Sequence, residues 1–497
     1  MINIRLILFT LLIVAGSTAW SAPIIIGKDQ APINKQDYET LKAIAKHAGL
    51  PIDEFSHYEE DHYIVGPEGM LYWDIDKNGI IDGEDSKAQN GVSKWSNSYI
   101  TDKNGNVIAI NVHKSDFSDT TLLNKLKSLV ALKLFMNKVK EIDLYDLPEL
   151  RHIYIFDDKA TAKLIKLKNI NKLAYLDIFG LDMPDFKRLS GVDHLHKVVF
   201  EGGVTLENFA GLENLPNLKY LHVNISGENT PEKFTTIKGI PKNHGLERLK
   251  LSTAYATDLS PLKNFSKLKH LELWATHKEL KDYTPISTLK NLEFFEITAR
   301  TPRDFTFLKD MPKLKSTLSY HTPFTSLKGL EEAPNLESLV LKQGVLPKLA
   351  HLENNPNLKV IKIDGHKIKK IEGLSNLKKL KELGLLGNQI KKIEGLDNNL
   401  CLEDVRLTGN PISEFENIFH LPLLYTLDIS DTKIRNFPNW EKLQRLGRLG
   451  VDKSQLDPEI FSKEPFFSTY VPIKEFDKKI SDSPKITDEE RKKYGCI

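Results

Sequence analysis

The sequence predicts an α/β solenoid with a curved parallel β-sheet on its concave face, short helical or 3-10 turns on its convex face, and a small N-terminal cap domain. Two observations predict it. Leu336, Leu358, Leu380, Leu402, Leu424 and Leu446 fall at intervals of 22 residues. Each of these leucines also opens the same apolar pattern, so that Leu380, Leu383, Leu385, Asn388, Ile390, Ile393 and Leu396 are matched by Leu402, Val405, Leu407, Asn410, Ile412, Phe415 and Ile418. One copy is too short to bury its own apolar face, so copies must stack, each adding a strand to a continuous parallel sheet.

The pattern Leu-x-x-Leu-x-Leu-x-x-Asn-x-Leu is that of leucine-rich repeats, and its short period resembles the internalin-like bacterial class. The resemblance implies an exported protein that binds another protein. It implies no particular partner, because a fold does not fix a function.

Taken from the start, residues 1–21 read as a secretory signal peptide: Arg5, an apolar run from Leu6 to Ala15, and small residues at Ala19 and Ser21 for the cleaving peptidase. A retained anchor is the alternative, but the run is shorter than the ~20 residues that span a bilayer. The mature chain is therefore expected in a periplasm or outside the cell, as a soluble monomer without a transmembrane segment. Its formal charge of +2, from 69 basic and 67 acidic side chains, does not mark a nucleic-acid protein.

Residues 22–106 do not repeat and are expected to form the N-terminal cap module. Asp37 to Ala48 has an apolar face at helical spacing, ended by Gly49 and Pro51. Within the loop 74–85, Asp74, Asp76, Asn78, Asp82 and Asp85 stand at positions 1, 3, 5, 9 and 12, with Gly79 at the sharp turn. These are the places from which a calcium loop presents oxygens, the carbonyl of Ile80 supplying position 7. The loop resembles EF-hand and dockerin-type loops, which implies structural calcium. It departs from them at Asp85, where a Glu is usual, and the alternative is an acidic turn without metal. His57 and His62, flanking Glu59, Glu60 and Asp61, read as solvated residues and not as metal ligands. Trp95 followed by Asp102-Lys-Asn-Gly-Asn-Val107 resembles the cap that opens many bacterial leucine-rich repeat domains, and it reads as a strand, a tight turn at Asn104-Gly105 and the first repeat strand.

The solenoid is phased over residues 107–461, with units opening at Val107, Leu129, Leu150, Leu173, Leu195, Leu218, Leu246, Leu268, Leu292 and Leu314 before the regular series. The unit at Leu218 has 28 residues, so Gly227 to Lys242 should bulge as a loop. The ninth position holds Asn only at Asn137, Asn388 and Asn410; Ser115, Thr276, Thr322, Thr432 and Ser454 can replace part of its bonding, and Arg300 and Leu181 cannot. Residues 462–497 lose the period and read as a C-terminal cap and mobile tail. Cys401 and Cys496 are the only cysteines. In an oxidising compartment they can form a disulfide, though spacing alone leaves open whether the sulfurs meet.

Along each strand, positions 1, 4 and 6 point inward and positions 3, 5 and 7 outward. From the unit at Leu129 to that at Leu314 the outward slots hold Phe135, Tyr154, Phe156, Tyr175, Phe179, Tyr220, Trp274, Phe294 and Tyr320. That is nine aromatics in 27 slots where the chain averages 9 %, so the face is the candidate site for a protein or peptide partner. Three other readings remain: the aromatics stack as a structural ladder, they are covered by the N-terminal module, or they lie against sugar rings in a carbohydrate-binding or structural envelope component. The lysine pairs Lys369-Lys370, Lys378-Lys379 and Lys391-Lys392 read as a solvated surface. The sequence contains no Gly-x-Ser-x-Gly elbow, phosphate-binding Gly-rich loop or His-Glu-x-x-His, so the reading is non-catalytic.

Overall fold

The protein is a parallel β-solenoid in which each phased unit, from Val107 to Leu446, opens with a strand. The computed structural model describes residues 24–26, 33–54, 56–57, 62–65, 71–74, 97–225, 237–452, 470–472 and 486–496, apart from 103, 114, 136, 158–161, 203–205, 416–417, 436–442 and 444. The signal segment 1–21, Trp95, the loop residues Asp76, Asn78, Ile80, Asp82 and Asp85, and most of Gly227 to Lys242 lie outside these residues. The chain divides into two compact units, one of Met1–Asp182 with Arg188–Val198, the other of Met183–Lys187 with Val199–Ile497.

The first unit opens with a small helical cap. The helix Lys35–His47 buries Leu41, Ile44 and Ala45, and Asn34 caps it by accepting the Asp37 amide at 2.9 Å. Gly49, at φ +72°, ends it in the left-handed region that favours glycine. The helix is bolted to the first repeat. Buried Asp37 accepts the Val107 amide through Oδ2 at 2.7 Å, and the Asn34 side chain donates to the Gly105 carbonyl at 3.1 Å. The strand Ser98–Thr101 then runs antiparallel to Val107–His113, across a turn in which Asp102 Oδ1 accepts the amides of Asn104 and Asn106.

From Val107–His113 the pairing is parallel through Ala131–Phe135 and His152–Phe156 to Tyr175–Phe179, with Ile110, Leu132, Ile153 and Leu176 in one buried row. The other side of this unit departs from the expected helical turns. It carries a second parallel sheet, Glu141–Tyr145 beside Ala162–Lys168 beside Leu181–Asp182. Ile142, Leu144, Leu164 and Leu181 alternate inward there, which is strand periodicity, and it overrides the short-turn expectation.

In the second unit the strands from Tyr220–Ile225 to Arg448–Gly450 are joined in one parallel run. The backs of several repeats are 3-10 turns, among them Ser260–Asn264, Thr284–Thr288 and Leu330–Glu332. Phe186, Phe200, Phe209, Phe265, Phe295, Phe305 and Phe324 fill the interior with the repeat leucines. The ninth-position ladder works as its chemistry requires: Asn388 and Asn410 donate to Ile363 and Leu385 carbonyls and accept the amides of Ile368 and Ile390. Thr322 substitutes for the amide by accepting the Ala299 amide and donating to the Ile297 carbonyl.

At the C-terminal end the described residues 486–496 pack onto the repeats, while most of the segment expected as cap and mobile tail lies outside the described residues. Residues 486–496 are ordered around the short helix Asp488–Lys493, which Thr487 and Glu490 cap reciprocally. Arg491 grips Glu403 through two nitrogens at 2.9 and 3.1 Å, Arg445 pairs with Glu490, and Cys496 is joined to Cys401 with their Cα atoms 5.5 Å apart. Leu423, Ile486 and Tyr494 pack around the two sulfurs, both at most 1 % exposed.

Candidate functional site

The outward side of the strands is where the sequence places its aromatics, and in the first unit they spend themselves on one another. The seventh positions form a column in which His113 stacks on Phe135 at 4.7 Å, Phe135 on Phe156 at 4.5 Å, and Phe156 on Phe179 at 4.3 Å. Parallel strands in register bring identical positions together, and offset-stacked rings are the favoured outcome. Tyr175 is only 3 % exposed, beneath the His152 ring and Lys197. It is therefore a packed residue and not the free contact its position suggests. Lys133 lies over Tyr154 at 5.0 Å, and burial pushes its ammonium down. His152 meets Asp177 at 3.1 Å beside this group.

The second unit carries a different arrangement on neighbouring strands Tyr220–Ile225, Arg248–Thr253, His270–Ala275 and Phe294–Ala299. Glu272 is its hub. Its Oε1 accepts from His270 Nε2 at 2.8 Å and Arg248 at 3.2 Å, while Lys250 stands 3.5 Å from Oε2. Burial alone would raise this carboxyl, but the hydrogen bonds from His270 and Arg248 and the charge of Lys250 hold it at about 2. Burial pushes the His270 imidazole down despite the carboxylate beside it. His270 stacks on Phe294 at 4.1 Å with the rings 7° apart, and Arg248 covers Tyr220 at 5.3 Å. His222, 6 % exposed, has Glu201 3.2 Å from Nδ1.

Trp274 stands apart from this packing. It is 42 % exposed, and the other large apolar side chains exposed to a similar degree among the described residues, Tyr38 and Tyr425, lie off the strands. Its indole Nε1–H donates to Glu296 Oε1 at 2.9 Å, which holds the ring while it remains exposed. Glu296 faces Glu272 across the sheet and is itself 8 % exposed. Burial raises its carboxyl, the indole hydrogen bond opposes that, the charge of Glu272 adds to it and that of Lys250 offsets part of it. Tyr320 lies two strands on from Trp274, with Lys342 6.0 Å from its ring centroid.

The sequence also missed buried residues that shape this unit. Asn355 and Asn399 form a second amide ladder behind the sheet, Asn399 donating to the Leu374 and Leu377 carbonyls and Asn355 to those of Leu330 and Ala333. The available signal was Asn at a repeat position that Ala333, Leu377 and Leu421 otherwise hold. His366 occupies a ninth position and takes the ladder's acceptor role, its Nδ1 accepting the Leu346 amide at 3.1 Å.

Among the described residues no group of three or more His, Cys, Asp or Glu could hold a metal ion, and no helix is long and apolar enough to cross a membrane. No protein-family model matches the chain, and no curated protein matches it in sequence. Solved structures do resemble it. A leucine-rich repeat protein of Leptospira interrogans matches at 19 % identity over 70 % of this chain and 90 % of its own, with a TM-score of 0.52. An internalin, InlF, of Listeria monocytogenes matches at 21 % identity over 69 % of this chain and 86 % of its own, with a TM-score of 0.44. A plant peptide hormone receptor, RGFR1, in complex with RGF2, matches at 18 % identity over 71 % and 55 %, with a TM-score of 0.41. The likeness to the Leptospira structure, at 19 % identity, establishes one thing, the leucine-rich repeat fold that the strands and ladders display.

Proposed function

We propose that this chain is a non-catalytic binding protein that holds a protein or peptide partner on the outward face of its second unit, with Trp274 as the anchor. The carrying observation is that Trp274 is exposed while held rigid by Glu296. A large ring presented at little entropic cost is the usual core of an interface hot spot. The non-catalytic part of the reading rests on how the acid–base groups are used: Glu272 is already saturated by His270, Arg248 and Lys250. Phe135, Phe156 and Phe179, in the first unit, stack on one another and offer little free area of their own.

Cross-linking capture from cell-surface fractions tests the reading. Trp274→Ala should lose the partner, by a loss of affinity of about 2 kcal/mol or more, while the stack variant Phe156→Leu retains it. Equal recovery by wild type and Trp274→Ala would refute the proposal. Binding on a glycan array in place of protein capture would assign the ring to sugar stacking instead.

Export and calcium belong to the same proposal and rest on sequence alone. The export reading rests on residues 1–21, and the calcium reading on the spacing of Asp74, Asp76, Asn78, Ile80, Asp82 and Asp85, of which only Asp74 lies within the described residues. Four carboxylates in one short loop repel each other without a cation, and extracellular modules bind calcium at about 10⁻⁴ to 10⁻³ M. Millimolar calcium should therefore raise the melting temperature of wild type and leave Asp74→Ala unchanged. Identical melting of both with calcium, magnesium and chelator would reduce the loop to an acidic turn.

A further inference from the structure

The second unit holds a carboxylate that, among the described residues, no cation contacts. Glu296 is 8 % exposed on the strand Phe294–Ala299, its hydrogen bond comes from the neutral indole of Trp274, and no Lys or Arg lies within ion-pair distance of it among the described residues. The basic groups nearest along the sheet are committed elsewhere, since Arg248, Lys250 and His270 all converge on Glu272. The register sets Glu296 directly beside Glu272 on one side and beside Leu318 on the other, and the charge of Lys250, bound to Glu272, opposes the repulsion without forming an ion pair with Glu296. Two residues along on the same face, the Thr298 hydroxyl is buried without a hydrogen-bond partner, opposite Trp274 in register. A buried carboxylate in this setting is costly for the free protein.

We infer that Glu296 and Trp274 form a subsite for an arginine side chain of the partner. The two groups recognise different features of one guanidinium. The exposed indole offers a flat π-face on which the cation stacks, and the carboxylate at its edge accepts the forked N–H groups. Lysine, a point charge with strong hydration, would use the carboxylate and lose the stacking. The cation also relieves the Glu272–Glu296 repulsion, which the free protein must bear. This inference names the chemistry of one contact in the partner surface proposed above and rests on that reading.

The test uses the whole chain and N-acetyl-arginine amide as the probe, followed through the Trp274 indole N–H resonance, which Trp274→Leu identifies by its disappearance. The probe should shift that resonance saturably, and Glu296→Gln should weaken its binding about tenfold. Gln keeps an acceptor oxygen for the indole, so the variant preserves the ring's position while removing the charge. No shift, an equal affinity in Glu296→Gln, or an equal response to N-acetyl-leucine amide would overturn the inference. Because the probe is a small molecule, this result is independent of whether a macromolecular partner is captured.

Discussion

His366 shows how one residue can serve a repeat while departing from its rule. Where Asn388 and Asn410 accept a turn amide through a side-chain oxygen, His366 accepts the Leu346 amide through Nδ1, so that nitrogen must be free of a proton in the fold. Burial drives its imidazole down to about 4, weakly opposed by the Leu341 carbonyl. The folded value is depressed below the unfolded one near 6.5. The unfolded chain therefore takes up the proton first as pH falls, and stability is lost between about pH 6.5 and pH 4. Over that window the loss amounts to about 3 kcal/mol, of which roughly 2 kcal/mol has gone by pH 5. The urea midpoint of wild type should fall between pH 7 and pH 5 more than that of His366→Asn, which keeps an acceptor and a donor without titrating. Parallel falls in both proteins would mean that His366 is not the group responsible.

At the scale of elements, the carboxylate of Asp37 ties the helix Lys35–His47 to the first residue of the first repeat strand, beside the Asn34 bonds to the preceding turn. Asp37→Ala would leave the buried Val107 amide without its partner, at a cost of about 2 kcal/mol, and hydrogen exchange should quicken at Val107 while the strands of the second unit keep their protection. Uniform exchange across the chain would contradict this local role. The helix was legible from the spacing of Leu41, Ile44 and Ala45, and its start two residues earlier follows from the Asn34 cap. The repeat strands were legible for a similar reason, since a 22-residue period fixes which positions face inward. The second sheet of the first unit was not, because Glu141–Tyr145 and Ala162–Lys168 sit where other units make turns, and the alternation of so few residues competes with the repeat's own phase. Nor was the division between packed and exposed aromatics legible. Position alone makes Tyr175 and Trp274 equivalent candidates, and their neighbours decide that one is covered by His152 and Lys197 while the other remains exposed.

At the scale of the whole molecule, stability in a solenoid is a sum over units and their contacts with immediate neighbours. The C-terminal units have an additional tie, because Cys401 and Cys496 close a loop of 95 residues and Arg491 holds the helix Asp488–Lys493 against Glu403. Cross-linking so long a loop restricts the unfolded chain by about 4 to 5 kcal/mol. Cys401→Ser should lower the stability of these units by nearly that amount in urea without reductant, and the loss should be absent in wild type until dithiothreitol is added. Equal midpoints for both proteins without reductant would show that the ion pairs alone hold the tail.

The same closure bears on what happens if the protein is pulled. Force entering near the C-terminus passes from Cys496 straight to Cys401 through a covalent bond, so the strands between them, Asp404–Arg406, Thr426–Asp428 and Arg448–Gly450, lie off the line of tension. Repeat proteins under load peel from the end that is held. Here the peeling front starts at Cys401, and roughly 330 Å of slack, at about 3.5 Å per extended residue, stays locked inside the ring. The disulfide thus works as a mechanical bypass that protects the last repeats from stretching while leaving those before Cys401 to bear the load.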